Sequence, residues 1–538
     1  MKAIFSKISP RMYIALSGIL LGITVIFADV GIFAYFALIP LAFALIRRLN
    51  GGEYRGRKAY LDGFIFYMCF DIVGFHWFTY FYPLEFSGLN PFEVIIVIFL
   101  AWIGLSALQS VFSAFVFVLI SRFARTDVYK KYPILLAPFT AALFAINEWT
   151  QTFTWAGVPW TRIAISQTEM PVLMQSASLF GSYFLTFLVV LINFLLAFAL
   201  FCADKKKIAA FAAAGVFLLN TAVGSVLYFI PNADTERELK FASIQGNLPS
   251  QSSDETFSEI YSIYEEQTVE AVKAGADIVI WPEGVFPGNV DSYIYVNGSG
   301  YITLKKAVSK LSVREGVTIV IGCYTYNESD EAFNSISAFY PDGSMDIGAY
   351  AKIRVVPFGE YLPLRDLIEA VVPPLAQINL FAEDVHFGTE FNVFGATSKE
   401  DAIKIGSLIC FDSIYEEIGI GSARNGAELF IIPSNDSWFY DSRALNMHHA
   451  QNILRAVEQG RYTVNCGNTG MTSILNDKGE VVSSMPIFTR GYVLDTVYAS
   501  SHRTLYSYIG NLFVYLMVAL VVSTLAYDRI KRLKNKKS

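Results

Sequence analysis

DIVIWPEG, residues 277–284, is the stretch on which the reading of the fold turns. Its consecutive apolar residues, Ile278–Trp281, fit a strand buried on both faces, as in the sheets of α/β domains. Asp277–Trp281 therefore delivers Glu283 just past Pro282, which has no N–H to give to a ladder. A second strand-like run, Ile403–Ile409, delivers Cys410. Between the two, YAKIRVVPFGEYLP (350–363) carries Lys352. Further strands are expected at Lys240–Gln245, Val317–Cys323, Ser335–Tyr340, Glu428–Pro433, Tyr462–Cys466 and Thr472–Leu475. Helical stretches fall near Glu255–Ala274, Leu304–Leu311 and Ser442–Glu458. Strands alternating with helices argue an α/β domain whose sheet faces are covered by helices, with roughly 260 residues to build one core.

Catalytic groups are commonly held where a rigid strand meets a loop. A cysteine attacks as a thiolate, which a lysine ammonium favours, and a glutamate can take and return the proton. Taken singly, however, Cys410 reads as a core thiol, Lys352 as a solvated charge and Glu283 as a cap or loop carboxylate. Spacing along the chain does not show that the three converge. No H-E-x-x-H, G-x-x-x-x-G-K-[ST] or G-x-S-x-G occurs, so no cofactor is called for. His448 and His449 are adjacent, which suits neither a helical i, i+4 pair nor a strand pair, and no metal site is read. The five cysteines (Cys69, Cys202, Cys323, Cys410, Cys466) include no CxxC and are too few and odd in number for a disulfide framework.

The 538 residues are 54% hydrophobic and only 16% charged. Soluble domains carry roughly 25% charge, so neither a uniformly soluble protein nor a disordered one fits. The net charge of −6 hides a division: residues 231–504 hold 19 basic and 36 acidic residues, the remainder 22 basic and 11 acidic. Three parts are expected: a membrane domain over 1–230, an acidic α/β domain over 231–504, and a final span with a basic tail over 505–538. No basic domain face suggests a nucleic-acid partner.

Apolar stretches near 12–28, 31–47, 60–82, 92–121, 133–148, 172–202, 208–230 and 505–527 read as eight spans. Met12–Asp29 lacks a small-residue cleavage site and reads as a retained anchor. The amino end, alternate loops and the tail hold 21 basic residues, whereas the short loops on the other side hold only Arg162. By the positive-inside rule both ends are cytoplasmic and the acidic domain lies outside the cytoplasm. A transporter is the alternative that so many helices raise, with Asp71, His76 and Glu148 as its intramembrane candidates. No pair of broken helices at matching positions supports it.

The strings IQGNLPS (244–250), WPEG (281–284), FNS (333–335), KIRVVPFGEYLP (352–363), ICFD (409–412) and SNDSWF (434–439) occur in order. Together with GVPW (157–160) and the run over 443–479, they resemble the apolipoprotein N-acyltransferase family, a membrane-anchored branch of the nitrilase superfamily. The resemblance covers nearly the whole chain. It implies a multi-pass helical membrane domain plus an α-β-β-α nitrilase-type sandwich with a Glu-Lys-Cys triad. Glu283 would be the general base, Lys352 the support of the tetrahedral intermediate and Cys410 the nucleophile. Glu360 would position the lysine, and the Phe411 N–H would help hold the oxyanion. The implied reaction moves an acyl chain from a phospholipid, through a Cys410 thioester, to the amino-terminal cysteine of a diacylglyceryl-modified apolipoprotein. Membrane lipid and apolipoprotein are thus the implied partners, at a bacterial plasma membrane.

Three departures from the family pattern stand out. Phe411-Asp412 replaces Tyr-Glu, Arg354 replaces a common His, and Phe-Pro-Pro is absent around Val25–Asp29. Leu367–Phe381 is apolar enough for a lid dipping toward lipid, and equally for a packed loop-helix. A membrane-tethered amidase of the nitrilase kind, with water as acceptor, is the alternative enzyme. A non-catalytic assembly protein is a further one, which the presence of all three triad residues opposes.

Overall fold

Long apolar runs fold here into helices that bury one face on each other and leave the other apolar. The computed structural model describes residues 9–51, 54–84, 90–202, 206–232, 237–248, 256–286, 288–371, 384–398 and 402–535. Two units emerge: one from Met1–Pro83, Leu89–Ile230 and Ile509–Ser538, the other centred on Pro231–Tyr508. In the first, five helical segments among the described residues are long and apolar enough to cross a bilayer: Ala28–Asn50, Pro91–Phe123, Ser182–Phe201, Lys206–Phe229 and Leu512–Asn535. Only 11% of the apolar window in Leu512–Asn535 is buried, which in water would leave a large uncovered hydrophobic face.

Eight spans were expected, and the other three positions hold shorter or more polar helices. Pro10–Ile26 has 17 residues and Leu136–Thr150 has 15, while Arg57–Gly74 carries Asp62 and Asp71 within its 18 residues. The stretch near 60–82 changes after Gly74 into a 3-10 turn, His76–Phe81. The stretch near 172–202 is broken at Gly181, whose φ of 79° ends one short helix and starts Ser182–Phe201. The last helix starts at Leu512, later than expected, and runs on through the basic residues to Asn535.

Small residues let these helices meet. A Cβ at Gly18 would lie 2.4 Å from the Phe66 carbonyl oxygen, and one at Gly22 would lie 2.8 Å from Val73 Cγ1. Pro10–Ile26 therefore packs backbone to backbone on Arg57–Gly74 through a Gly-x-x-x-Gly pair. Polar glue joins other helices. Asp71 accepts from Ser110 Oγ (3.4 Å) and Thr161 Oγ1 (3.3 Å), and Glu148 from Thr186 Oγ1 (2.6 Å) and the Ile163 N–H (2.8 Å). The buried Asp62 carboxylate pairs with Arg11 and Arg48.

The second unit contains β1 (Glu238–Gln245), β2 (Ile278–Trp281), β3 (Tyr293–Val296), β4 (Gly300–Thr303), β5 (Thr318–Tyr326), β6 (Ala332–Phe339) and β7 (Met345–Ala351). It continues with β8 (Val393–Gly395), β9 (Lys404–Ser407), β10 (Leu429–Ser434), β11 (Thr463–Gly467), β12 (Ser473–Leu475), β13 (Val481–Ser484) and β14 (Gly491–Tyr498). One six-stranded sheet has the order β14-β1-β2-β5-β6-β7, the other β13-β12-β11-β10-β9-β8, and β3-β4 form a separate hairpin. At each sheet's centre the strands are parallel, β1-β2-β5 and β9-β10-β11.

The two sheets face one another. Ser243 Oγ donates to the Asn465 carbonyl, and Cys466 Sγ to the carbonyls of Ile244 and Ile280. Phe257–Lys273 and Leu304–Glu315 cover the outer face of the first sheet around Trp281, Tyr264 and Leu311. Glu416–Arg424 and Arg443–Gln459 cover the second. This is the α-β-β-α sandwich of the nitrilase type.

Candidate active site

Three loops that leave strand ends meet in one cluster of charge. β2 is buried along its whole length and stops at Pro282, which places Glu283 at the carboxyl end of the sheet. Close approach is needed there: a Cβ on Gly322 of β5 would lie 2.6 Å from Glu283 Cα. β7 ends at Ala351, and the next residue, Lys352, is 1% exposed, against the solvated charge that a lone lysine suggests. Lys352 Nζ donates to Glu283 Oε1 (2.8 Å) and to Glu360 Oε1 (2.9 Å).

Asn334, on β6, donates from Nδ2 to the same two oxygens, 2.7 Å each. The remaining oxygens are held by backbone: the Asn435 N–H donates to Glu283 Oε2 (3.0 Å) and the Val356 N–H to Glu360 Oε2 (2.7 Å). A carboxylate offers about four lone-pair sites. Glu283 has three of them filled by Lys352, Asn334 and Asn435, which leaves Oε2 able to accept one more proton donor. Burial alone would lower the Lys352 ammonium, but Glu283 and then Glu360 carry it well above its ordinary value. Lys352 is therefore a fixed cation.

Cys410 is not the direct continuation of a strand. β9 ends at Ser407, the Leu408 N–H still reaches the Ile431 carbonyl, and Cys410 opens a 3-10 turn over Cys410–Ile414. Its φ of +48° lies in the left-handed region that disfavours a side chain. Burial first, then the Glu283 carboxylate, hold the Cys410 thiol well above its usual range, and Lys352 pulls the other way. The resting sulfur is thus a thiol, and it feels both charges of the cluster.

Phe411 packs edge-on against Tyr415 with ring centroids 5.5 Å apart. Asp412 is fully buried and accepts from Tyr350 Oη (2.6 Å) and from the N–H groups of Arg354 (2.7 Å) and Ile409 (3.2 Å). The carboxylate thus ties the Cys410 turn to the loop that carries Lys352. Arg354 reaches outward, donating to Glu417 and stacking 4.7 Å over the Tyr415 ring.

Behind the turn lies a pair that local spacing conceals. His448, on Arg443–Gln459, puts Nδ1 3.1 Å from both oxygens of Asp436 and Nε2 3.1 Å from the Cys410 carbonyl. A carbonyl only accepts, so Nε2 carries a proton, and Nδ1 faces a carboxylate. Burial opposes a charged ring, but Asp436 raises the His448 imidazole above its usual value. Cys410, Asp436 and His448 offer ligand atoms within 4.8 Å of one another, a grouping that the adjacency of His448 and His449 gave no reason to expect.

The charged cluster therefore joins Glu283, Lys352 and Glu360, and Cys410 lies within its field. Asn334, Asn435, Asp436 and His448 belong with them and were not singled out from the sequence. FNS and SNDSWF were the signals that contained the first three. Of Leu367–Phe381, Arg365–Val371 is helical, and residues 372–383 lie outside those described.

Residues 17–195 match the apolipoprotein N-acyltransferase N-terminal domain and residues 240–505 match the carbon-nitrogen hydrolase family. An apolipoprotein N-acyltransferase of Geobacter metallireducens is 28% identical over 98% of this chain and 97% of its own. One from Thermotoga maritima is 27% identical over 94% of this chain and 91% of its own. Among solved structures, an amidase from Nesterenkonia sp. is 14% identical with a TM-score of 0.36, covering 53% of this chain and 97% of that one. The tandem order of the two matched domains, and alignment with such relatives from end to end, establish that the chain belongs to the apolipoprotein N-acyltransferase family.

Proposed function

We propose that this chain carries an acyl group from a membrane phospholipid, through a thioester on Cys410, to the α-amino group of the diacylglyceryl-modified cysteine of lipoproteins. The observation that carries this reading is the buried Glu283–Lys352–Glu360 cluster, whose charges act on the Cys410 sulfur. Because Cys410 rests as a thiol, attack requires a base. Glu283 Oε2 takes the Sγ proton as sulfur adds to the ester carbonyl. The oxyanion that forms is met by the Lys352 ammonium and the Phe411 N–H, and such a donor contributes about 3–4 kcal/mol. Collapse expels the glycerol oxygen, Glu283 returns the proton to it, and lysophospholipid leaves.

In the second half the lipoprotein amine attacks the thioester carbonyl and loses its proton to Glu283. Sulfur departs and is reprotonated. Thiolate is a good leaving group and the amine a good nucleophile, so the relay runs downhill to an amide. Double displacement gives ping-pong kinetics. A nitrilase-type amidase would use water in the second half with the same residues. The membrane unit, matched to the N-terminal domain of the acyltransferase family, supports the lipid-borne acceptor.

Both substrates are anchored in a bilayer, which gives a reason for tethering the enzyme by its helices. The distribution of basic residues supports a plasma-membrane protein with both ends in the cytoplasm and residues 231–504 outside it. The direct test is a mass spectrum of a lipoprotein amino terminus from cells with and without this protein. One extra acyl chain on the amino-terminal cysteine, present only with the protein, is the expected result. An unchanged amino terminus would reject the reading.

A further inference from the structure

Asp436 and His448 are 4% and 1% exposed and are not members of the Glu283–Lys352–Glu360 cluster. The pair nonetheless bears on Cys410 in two ways. His448 Nε2 and Ser413 Oγ, at 3.1 and 2.8 Å, both donate to the Cys410 carbonyl. That carbonyl belongs to the residue held at a φ of +48°. A non-glycine residue in this region is strained and persists only where its surroundings fix it. The second contact is electrostatic. Asp436 Oδ1 lies 3.9 Å from Cys410 Sγ, and an unbalanced carboxylate there opposes ionisation of the sulfur.

We propose that Asp436 and His448 form a positioning pair for the nucleophile. The imidazolium grips the Cys410 carbonyl and so fixes the left-handed turn, while its charge offsets the Asp436 carboxylate that faces the sulfur. This rests on the reading of Cys410 as the nucleophile. Both His448 nitrogens face acceptors, so the ring stays doubly protonated and the pair is neutral as seen from Sγ. Glu283, Lys352 and Glu360 also face the sulfur, from the loops after β2 and β7. His448 is faced by Asp436 and Glu283 and has His449 beside it on the same helix.

The test is the pH dependence of Cys410 alkylation by iodoacetamide in the full-length protein in detergent, read on the Cys410 peptide by mass spectrometry. His448→Gln keeps an N–H for the carbonyl but removes the charge. The alkylation midpoint is expected to rise by about one pH unit or more. At fixed neutral pH, kcat should then fall about tenfold, with the donor KM nearly unchanged. Adding Asp436→Asn removes the stranded carboxylate and should bring the midpoint back toward wild type. A folded His448→Gln protein with a wild-type midpoint, or a double variant shifted as far as the single one, would overturn the proposal.

A measurement on the unaltered protein guards against a variant that does not fold. In 15N-histidine spectra, His448 should show both ring nitrogens protonated at neutral pH. A neutral tautomer would overturn the proposal equally. Cys410→Ala separates the two readings. Acyl transfer surviving in that variant removes the nucleophile itself, whereas loss of transfer with an unshifted His448→Gln midpoint removes only the pair.

Discussion

Lys352 sits between two carboxylates, and removing it leaves Glu283 and Glu360 buried against each other with no counter-charge. Breaking a buried pair in this way costs about 3–5 kcal/mol. Lys352→Ala is therefore expected to lose acyl transfer and to lower the denaturant midpoint by a matching amount, measured in the same detergent. A variant inactive but as stable as wild type would show that the three groups are not a structural unit. Asp412 gives a pH signature. Burial pushes its carboxyl from 3.8 up to about 7, against the hydrogen bonds from Tyr350 and Arg354. The folded state then keeps a proton that the unfolded chain has released. Stability from this residue is full below the unfolded value and is lost as pH rises toward about 7. Compared with Asp412→Asn, the wild-type protein should lose stability across that window, which denaturant titrations at several pH values measure. A flat difference between the two would mean that Asp412 is ionised throughout.

Among the elements, helix pairing through glycine makes a sharp expectation. Gly18→Val places carbon against the Phe66 carbonyl, whereas a Cβ at Gly104, within Pro91–Ser113, meets nothing within 4 Å. Overpacking of this kind costs about 1–3 kcal/mol. Gly18→Val should lower the melting temperature of the purified protein and Gly104→Ala should not; equal behaviour would contradict the close approach. The strands that were legible from sequence are β1, β2, β5, β6, β9, β10, β11 and β12, and burial on both faces writes β2, β5 and β10 in particular as near-continuous apolar runs. β7, β8, β13 and β14 were not legible. They lie toward the sheet edges, where exposed and buried positions mix, as in β13, whose residues are all at least partly exposed. The β3-β4 hairpin escaped for a related reason: only Ile294 and Thr303 are buried in a run otherwise rich in exposed tyrosine. Helix lengths near the bilayer were overread where a glycine at positive φ or a 3-10 turn cuts an apolar run, since hydropathy carries no record of either.

For the molecule as a whole, charge asymmetry makes the topology testable. A reporter joined after Ser538 should score cytoplasmic and one inserted near Asn327 external, given the 21 basic residues on one side of the spans. The reverse pattern would overturn the orientation. Glu283 and Cys410 could be picked from sequence because each follows a strand-like run within a family string, and Lys352 because it lies in the family string between them. His448 could not, since its function lies in reaching a carbonyl 38 residues earlier in the chain. Asn334 is likewise 51 residues from one carboxylate it joins and 26 from the other. Such pairings exist only once each sheet has assembled with the loops and helices that belong to it. The most direct measurement of the central claim is to incubate the protein with a phospholipid bearing a labelled acyl chain, without acceptor, and to analyse the Cys410 peptide by mass spectrometry. The expected result is the label on Cys410 as a thioester, released by lipoprotein amine and absent from Cys410→Ala. Product formation without any acyl group on Cys410 would contradict it.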